Sequence, residues 1–348
     1  MEAVTDLPFR TVCEELGAVL TFTEFLSADA LTRGAAKALG RMWPSLGGRQ
    51  FAVQIFGRQP EVLARAAQMA VDTGASILDI NMGCPAKRVT AGLCGSALMR
   101  EPELAEGIVR TVRKAIPDQV PVTVKHRLGW DETSINAVEF AARLVDAGAA
   151  MITIHGRTRS QGFSGNARHE PIAAVKEALP AHVPVVANGD VRTPQDWQRV
   201  KTLTGCDAVM IGRGSMGNPW LFATLAALDR GEPAPPEPTL AERRRIWRRH
   251  ADLVAEYSVE RMRVHELRKT LAWYSRGLRG GSDLRQRANQ SKHPAALLDM
   301  GEAFFAGLLA IGDGTHALTG PADPVAKSKA RQGRKGGAHT QAPEPSLV

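Results

Sequence analysis

The stretch Ile77-Leu78-Asp79-Ile80-Asn81-Met82-Gly83-Cys84-Pro85 decides the fold. Its first part, Ile77–Ile80, is a short apolar run that reads as a buried strand. A strand ending in Asn-x-Gly-Cys-Pro delivers a thiol at its carboxyl end, where barrel enzymes place their chemistry. Pro85 has no N–H to give a sheet ladder, so the strand must stop there. An unpaired cysteine is more often a small buried filler than a reactive group. Cys84 therefore gains meaning only from its surroundings.

Those surroundings repeat the pattern. Apolar runs at Val19–Thr23, Phe51–Phe56, Val122–Lys125, Met151–His155, Val183–Ala187 and Ala208–Ile211 join Ile77–Ile80 as strand candidates. Between them helical periodicity runs over 61–73, 102–115, 134–147, 170–178, 194–203 and 219–228. Near-continuous apolar strands separated by helices mean a parallel sheet buried on both faces. Polar residues close the strands: Gln54, Asn81, Lys125, His155, Asn188 and Arg213. A doubly wound open sheet would collect its ligands at one switch point. Polar ends on so many strands point instead to an α/β (β/α)₈ TIM barrel. Only seven strands are found, so the expectation is that a first strand precedes Val4, upstream of Met1.

The prolines of Glu232-Pro233-Ala234-Pro235-Pro236-Glu237-Pro238 mark a linker, 232–239. This divides the chain into a catalytic barrel domain, 1–231, and a small C-terminal helical domain, 240–311, with helical stretches over 240–257, 261–276, 283–290 and 294–309. Residues 312–348 hold almost no large apolar side chain and read as a disordered basic tail.

Charge separates the two domains as clearly as composition does. Residues 1–239 hold 25 Lys and Arg against 25 Asp and Glu, and residues 293–348 balance at 5 against 5. Residues 240–292 hold 14 against 6, so the whole surplus of +8 lies in one helical module. A basic module joined to a neutral one suggests a polyanion site. No apolar stretch approaches the roughly 18 residues that span a membrane, and the start lacks the basic and apolar regions of a signal peptide. The four cysteines, Cys13, Cys84, Cys94 and Cys206, have neither CxxC nor zinc spacing. The expectation is a cytoplasmic protein with free thiols and no metal.

Two glycine-bearing strand ends, Asn188-Gly189-Asp190 and Gly212-Arg213-Gly214, follow the last two strands. In barrels this pair often binds phosphate, because bare backbone N–H groups can approach an anion. A plain tight turn is the other reading of either one alone. Lys125 and His155 would face an electron-rich ring, or be a salt-bridged lysine and a core histidine. Gln54 would contact the edge of such a ring or cap its strand. Neither GxGxxG nor GxxxxGK[ST] occurs, which disfavours a Rossmann nicotinamide domain and an NTPase.

Seven runs, taken together, resemble the tRNA-dihydrouridine synthases: Val4–Arg10, Asp79–Lys87, Gly95–Leu98, Val122–Lys125, Thr153–Arg159, Asn188–Asp190 and Met210–Gly214. The likeness covers roughly residues 1–310. Met82–Lys87 and Arg268-Lys269 with Trp273-Tyr274 are similar to the bacterial B-type branch. The resemblance implies an FMN enzyme that uses NAD(P)H to reduce a uridine in the tRNA D-loop to 5,6-dihydrouridine. It implies Cys84 as the general acid at uracil C5, since a free thiol is mostly protonated at neutral pH. Gln54, Lys125 and His155 would then contact the flavin ring and ribityl chain, and Asn188, Gly189, Asp190, Gly212 and Arg213 the chain and phosphate. Met1 and Glu2 would be what remains of the first strand's contacts. Asn81 would place the uracil, and Arg157 would bind RNA phosphate or the base.

In the helical module Trp247, Arg248, Arg249, His250, Arg268, Lys269, Trp273, Tyr274 and Arg276 mix cations with rings, as RNA-contacting surfaces do. Arg268 and Lys269 are the expected tRNA contacts, the alternative being a solvated helix face over buried rings. Cys94 is a second thiol that competes for the acid role. The partners expected are tRNA and NAD(P)H, with no membrane, acting on a monomer. Two other functions stay open at this point: an FMN barrel acting on a free small molecule, and a non-catalytic tRNA-binding factor.

Overall fold

The computed structural model describes residues 1–312; the tail from 313 onward, expected to be disordered, lies outside them. Its sheet is wholly parallel and contains β1 (Thr21–Phe22), β2 (Leu26–Ser27), β3 (Phe51–Phe56), β4 (Ile77–Met82), β5 (Val122–Arg127), β6 (Met151–His155), β7 (Val185–Asn188) and β8 (Ala208–Met210). Both β1 and β2 pair with β3, with Thr21 opposite Phe51 and Leu26 opposite Ile55. The offset between the two pairings is one residue, so β1 and β2 are one bulged strand. Seven strand positions result, the number the sequence suggested.

The first of them differs from expectation. The apolar run beginning at Val19 does not open the strand, because Val19 lies on the surface and pairing starts at Thr21. Helices follow the strands, among them Pro60–Asp72, Pro102–Ala115, Ala137–Asp146, Glu170–Ala178 and Pro194–Thr204. The last begins on a reciprocal cap between Thr193 and Asp196.

Strand period fixes what faces the helices and what faces inward. Val53, Ile55, Leu78, Ile80, Val122, Val124, Ile152 and Ile154 are buried in the core beneath the helices. The alternate residues are polar. Gln54 stands opposite Asp79, Asp79 opposite Thr123, Asn81 opposite Lys125, Lys125 opposite Thr153, and His155 opposite Asn188. These share the inner face, so its upper layers hold chemistry where a purely structural barrel would hold branched aliphatics.

Among the described residues no pairing joins β8 to β1. The segment before helix Leu7–Glu15 lies at this opening. Ala3 N–H donates to Glu24, the Arg41 guanidinium joins Glu2 and Glu24 at 3.2 Å each, and a Cβ on Gly212 would lie 3.2 Å from Met1 Sδ.

Helix Leu7–Glu15 was not anticipated, although its signal is present. Asp6 caps it by accepting from Phe9 N–H at 2.9 Å, and Pro8 sits in its first turn. Its apolar face leaves the barrel core and joins the C-terminal bundle of Leu240–Tyr257, Glu260–Tyr274, Gly281–Gln290 and Pro294–Ala310. Phe9, Val12 and Cys13 belong to one cluster with Trp247, Leu271, Trp273 and Phe305. The bundle is thus clamped to the barrel by a helix from the far end of the chain. No helix of the described residues is long and apolar enough to cross a membrane.

Candidate active site

The site is assembled at the carboxyl end of the sheet. After Met82 the chain turns, and Asn81 holds the turn: its Oδ1 accepts from Gly83 N–H at 3.1 Å and Cys84 N–H at 2.9 Å. Arg127, at the end of β5, donates from Nε to the Gly83 carbonyl at 2.7 Å and from Nη1 to the Thr158 and Gly162 carbonyls. Ser96 Oγ donates to the Cys84 carbonyl at 2.9 Å. Cys84 is therefore fixed from three directions on a half-buried loop. Burial pushes its thiol up, against the Ala86 N–H and the guanidiniums of Arg127 and Arg88. It is a protonated thiol at neutral pH, which is what a proton donor requires.

Cys94 has different neighbours. Its Sγ donates to the Gly92 carbonyl at 3.2 Å, and the charges that reach it are Asp29 and Arg58, not those around Cys84.

Lys125 is half-buried beside Cys84 and makes no hydrogen bond or ion pair among the described residues. Burial, with Arg127 adding repulsion, lowers its ammonium to about 8. His155 ends the next strand. Burial and the cations Lys125, Arg127, Arg157 and Arg213 hold its imidazole neutral. Arg157 Nη1 lies 3.3 Å from His155 Nε2, so that nitrogen accepts and Nδ1 carries the proton.

Several expected roles change here. Arg157 is only 2% exposed, and its guanidinium donates to Asp190, Ser164 O and Gly165 O. Its placement does not offer it to RNA phosphate; it stiffens the loop after β6. Asp190 would be raised by burial but is held low, because it accepts from Arg157, Ala167 N–H and Arg213. Its carboxylate orients guanidiniums rather than meeting an anion. Asn188 Nδ2 donates to Met210 O and ties β7 to β8. Gln54 and Asn81 bond to each other, Asn81 Nδ2 donating to Gln54 Oε1 at 2.8 Å.

The bundle also departs from expectation. Trp247, His250, Trp273 and Tyr274 are buried in the shared core, not displayed. Lys269 bonds to Asp6 Oδ2 at 2.9 Å and Ala3 O at 3.0 Å and lies 5.1 Å from the Trp273 ring centroid. It ties the bundle to the barrel rather than facing solvent. Arg268 donates to Ser291 O, and Arg248 and Arg249 form ion pairs with Asp252 and Glu15.

Two residues the sequence reading passed over belong to the site. Arg127 has a legible signal, a cation two residues past Lys125 on the same strand face. Phe163 has none: it is a loop residue, 54% exposed, with Arg213 5.1 Å and Arg127 5.7 Å from its ring centroid.

The cations Lys125, Arg127, Arg157 and Arg213 converge on His155, with Asp190 bonded to two of them, so this side of the mouth is electropositive. Gly189, at φ +131°, allows the chain to pass where a Cβ would fall 2.7 Å from Ala167 Cβ, and Gly212 keeps the rim bare. Such a cradle fits an anionic, ring-bearing cofactor.

The model of the dihydrouridine synthase family matches residues 1–306. The chain belongs to that family. It is 42% identical over 311 residues to the tRNA-dihydrouridine synthase B of Xanthomonas axonopodis pv. citri, covering 89% of this chain and 92% of the relative. It is 41% identical over 307 residues to the tRNA-dihydrouridine synthase B of Pasteurella multocida, covering 88% and 91%. Among solved structures, a 2-naphthoyl-CoA reductase complex superposes with a TM-score of 0.51 at 12% identity, over 66% of this chain and 47% of that one. That likeness concerns the fold alone. The enzyme is an oxidoreductase that reduces uridine in tRNA to dihydrouridine.

Proposed function

We propose that the cradle binds FMN, that NAD(P)H reduces it, and that Cys84 donates the proton completing reduction of a D-loop uridine. The observation that carries this reading is the half-buried, protonated Cys84 thiol, held on a braced turn beside an electropositive, glycine-edged mouth. Lys125, Gln54 and His155 would hold the ring, with Met1 and Glu2 at the opening. Gly189, Gly212 and Arg213 would hold the phosphate, and Asp190 and Asn188 would steady them. When bound, the flavin supplies hydride for C6 of the uracil. The chain's own task is at C5, where Cys84 Sγ gives its proton. Asn81 serves the uracil by setting the Cys84 turn.

The tRNA backbone meets the module at the loop after Tyr274 and the helix that follows it, where Arg276 and Arg279 of the loop and Arg285 of helix Gly281–Gln290 have no ion pair among the described residues. This reading adds to the expected grip of Arg268, whose guanidinium gives one bond to Ser291 O, and leaves out Lys269, whose ammonium is held by Asp6 and Ala3. The working form is a cytoplasmic monomer.

The test uses purified enzyme and unmodified tRNA transcript. The protein should be yellow, release FMN on denaturation, and oxidise NADPH faster when the transcript is present, with dihydrouridine in the product. A folded protein that stays colourless after incubation with FMN refutes the cofactor; NADPH oxidation indifferent to tRNA refutes the coupling.

A further inference from the structure

Asp79 is fully buried one rung below Asn81 on β4, and nothing in the reaction uses it directly. Its two carboxylate oxygens meet one donor each from the neighbouring strands. Thr123 Oγ1 donates to Oδ1 at 2.5 Å and Gln54 Nε2 donates to Oδ2 at 2.6 Å. Gln54 then turns its Oε1 to Asn81 Nδ2, and Asn81 turns its Oδ1 to the N–H groups of Gly83 and Cys84.

The two ends of this chain have fixed polarity. Backbone N–H groups only donate, and an ionised carboxylate only accepts. Between them each amide has one arrangement that satisfies both neighbours. A rotated Gln54 would set N–H against N–H at Asn81 or oxygen against carboxylate at Asp79. The turn that carries the thiol is therefore oriented from inside the barrel.

We propose that Asp79 is a positioning residue for Cys84, acting through the Gln54 and Asn81 side-chain amides to hold the thiol where it meets uracil C5. What the relay needs from position 79 is an acceptor toward Gln54, not a negative charge. An Asn there could give its oxygen to Gln54, keeping the polarity of the relay, and donate its NH₂ to the Thr123 hydroxyl, which turns from donor to acceptor. A Leu there leaves the Gln54 N–H without a partner and frees both amides to turn.

This inference rests on the reading of Cys84 as the proton donor, and the experiment separates the two. Full-length enzyme lacking the competing half-buried thiol (Cys94→Ala) is compared with the same protein carrying Asp79→Leu or Asp79→Asn. Two quantities are read: the rate of Cys84 alkylation by iodoacetamide, which needs neither cofactor nor tRNA, and dihydrouridine formed in a single turnover with excess NADPH. Asp79→Leu should change the alkylation rate severalfold and slow product formation by roughly tenfold to a hundredfold, the size expected for a misplaced reacting group. Asp79→Asn should restore both to within about twofold of the parent, with Thr123→Val similarly mild.

If Asp79→Leu does not fold, Asn81→Asp serves instead. It keeps the acceptor toward Cys84 and removes the donor to Gln54, and should also slow product formation. Asp79→Asn behaving as badly as Asp79→Leu, or either disrupting variant leaving both readouts unchanged, overturns the proposal. A Cys84→Ala protein that still forms product at the parental rate overturns the underlying reading instead.

Discussion

At the scale of single residues the question is why Cys84 and not Cys94 should donate the proton. Both thiols are raised by burial. Only Cys84 shares the charge environment of Lys125 and Arg127, and only its backbone is gripped by Asn81 and Ser96. Cys84→Ala should retain flavin and its reduction by NADPH while dihydrouridine formation falls about a hundredfold, the usual size of a general-acid contribution. Cys94→Ala should stay near the parental rate; exchanged results would reassign the acid. The pH dependence has a definite sign. A donor thiol works below its pKa and is lost as pH rises through it, and burial moves this point upward. Single-turnover product formation should hold through neutral pH and decline only on the alkaline side of the ordinary thiol range. A decline beginning below pH 7 would show that the thiol titrates lower and does not donate in this form.

At the scale of elements, packing between helices of the bundle makes a sharp demand at Gly301. A Cβ built there would stand 2.1 Å from Trp247 Cζ2 and 2.8 Å from Leu271 Cδ2, so the indole or the helix must move. Gly301→Ala should cost about 1–3 kcal/mol, as overpacking of a filled core does. Urea denaturation would register this as a lower midpoint. An unchanged midpoint would mean that Trp247 relaxes without cost.

The same elements show what the sequence could and could not tell. Strands β3 to β8 were legible because each is built on a short apolar run, most with a polar residue at or near its end. The polar ends named the site because inward-facing side chains cannot be polar without a use or a partner. Helix Leu7–Glu15 was harder: its apolar face serves a core more than 230 residues away, so local periodicity gave it no obvious partner. The side chains that the structure engages within the protein share one feature. Arg157, Lys269 and Trp273 were judged by residue type, as cations and rings that suit RNA. Their actual roles depend on Asp190, Asp6 and Phe9, which lie far along the chain. Partners set by tertiary packing cannot be read from composition.

At the scale of the whole molecule, the surplus charge of the bundle must be divided into what the protein neutralises and what it offers. Arg244, Arg245, Arg248, Arg249, Lys269 and Arg287 are each in an ion pair. Around the loop after Tyr274 the balance is different. Burial lowers Arg276, and Arg285 and Arg192 lower it further by repulsion, with no carboxylate among the groups that act on it. This loop also borders the mouth. A Cβ on Gly217 would lie 2.4 Å from Trp273 O, at the end of the helix that leads into the loop, and one on Gly214 would lie 3.1 Å from the Cα of Arg192, which acts on Arg276, so the segment beginning at Gly212 and Arg213 packs beside the bundle there. Like charges held together at the edge of an electropositive mouth are stabilised when a polyanion lies across both. Replacing Arg276 and Arg285 together with glutamine should weaken tRNA binding and reduce its salt dependence by roughly 0.7 to 0.9 log units per log unit of salt for each phosphate no longer held. Flavin content and NADPH oxidation without RNA should not change. Lys269→Met should instead lower stability, because it breaks the tie to Asp6, and should leave the salt slope as it was. Filter binding at several salt concentrations, with thermal unfolding of both variants, distinguishes the two. If the slope falls for Lys269→Met and not for the double variant, the backbone grip lies along Glu260–Tyr274 and not in the loop that follows it.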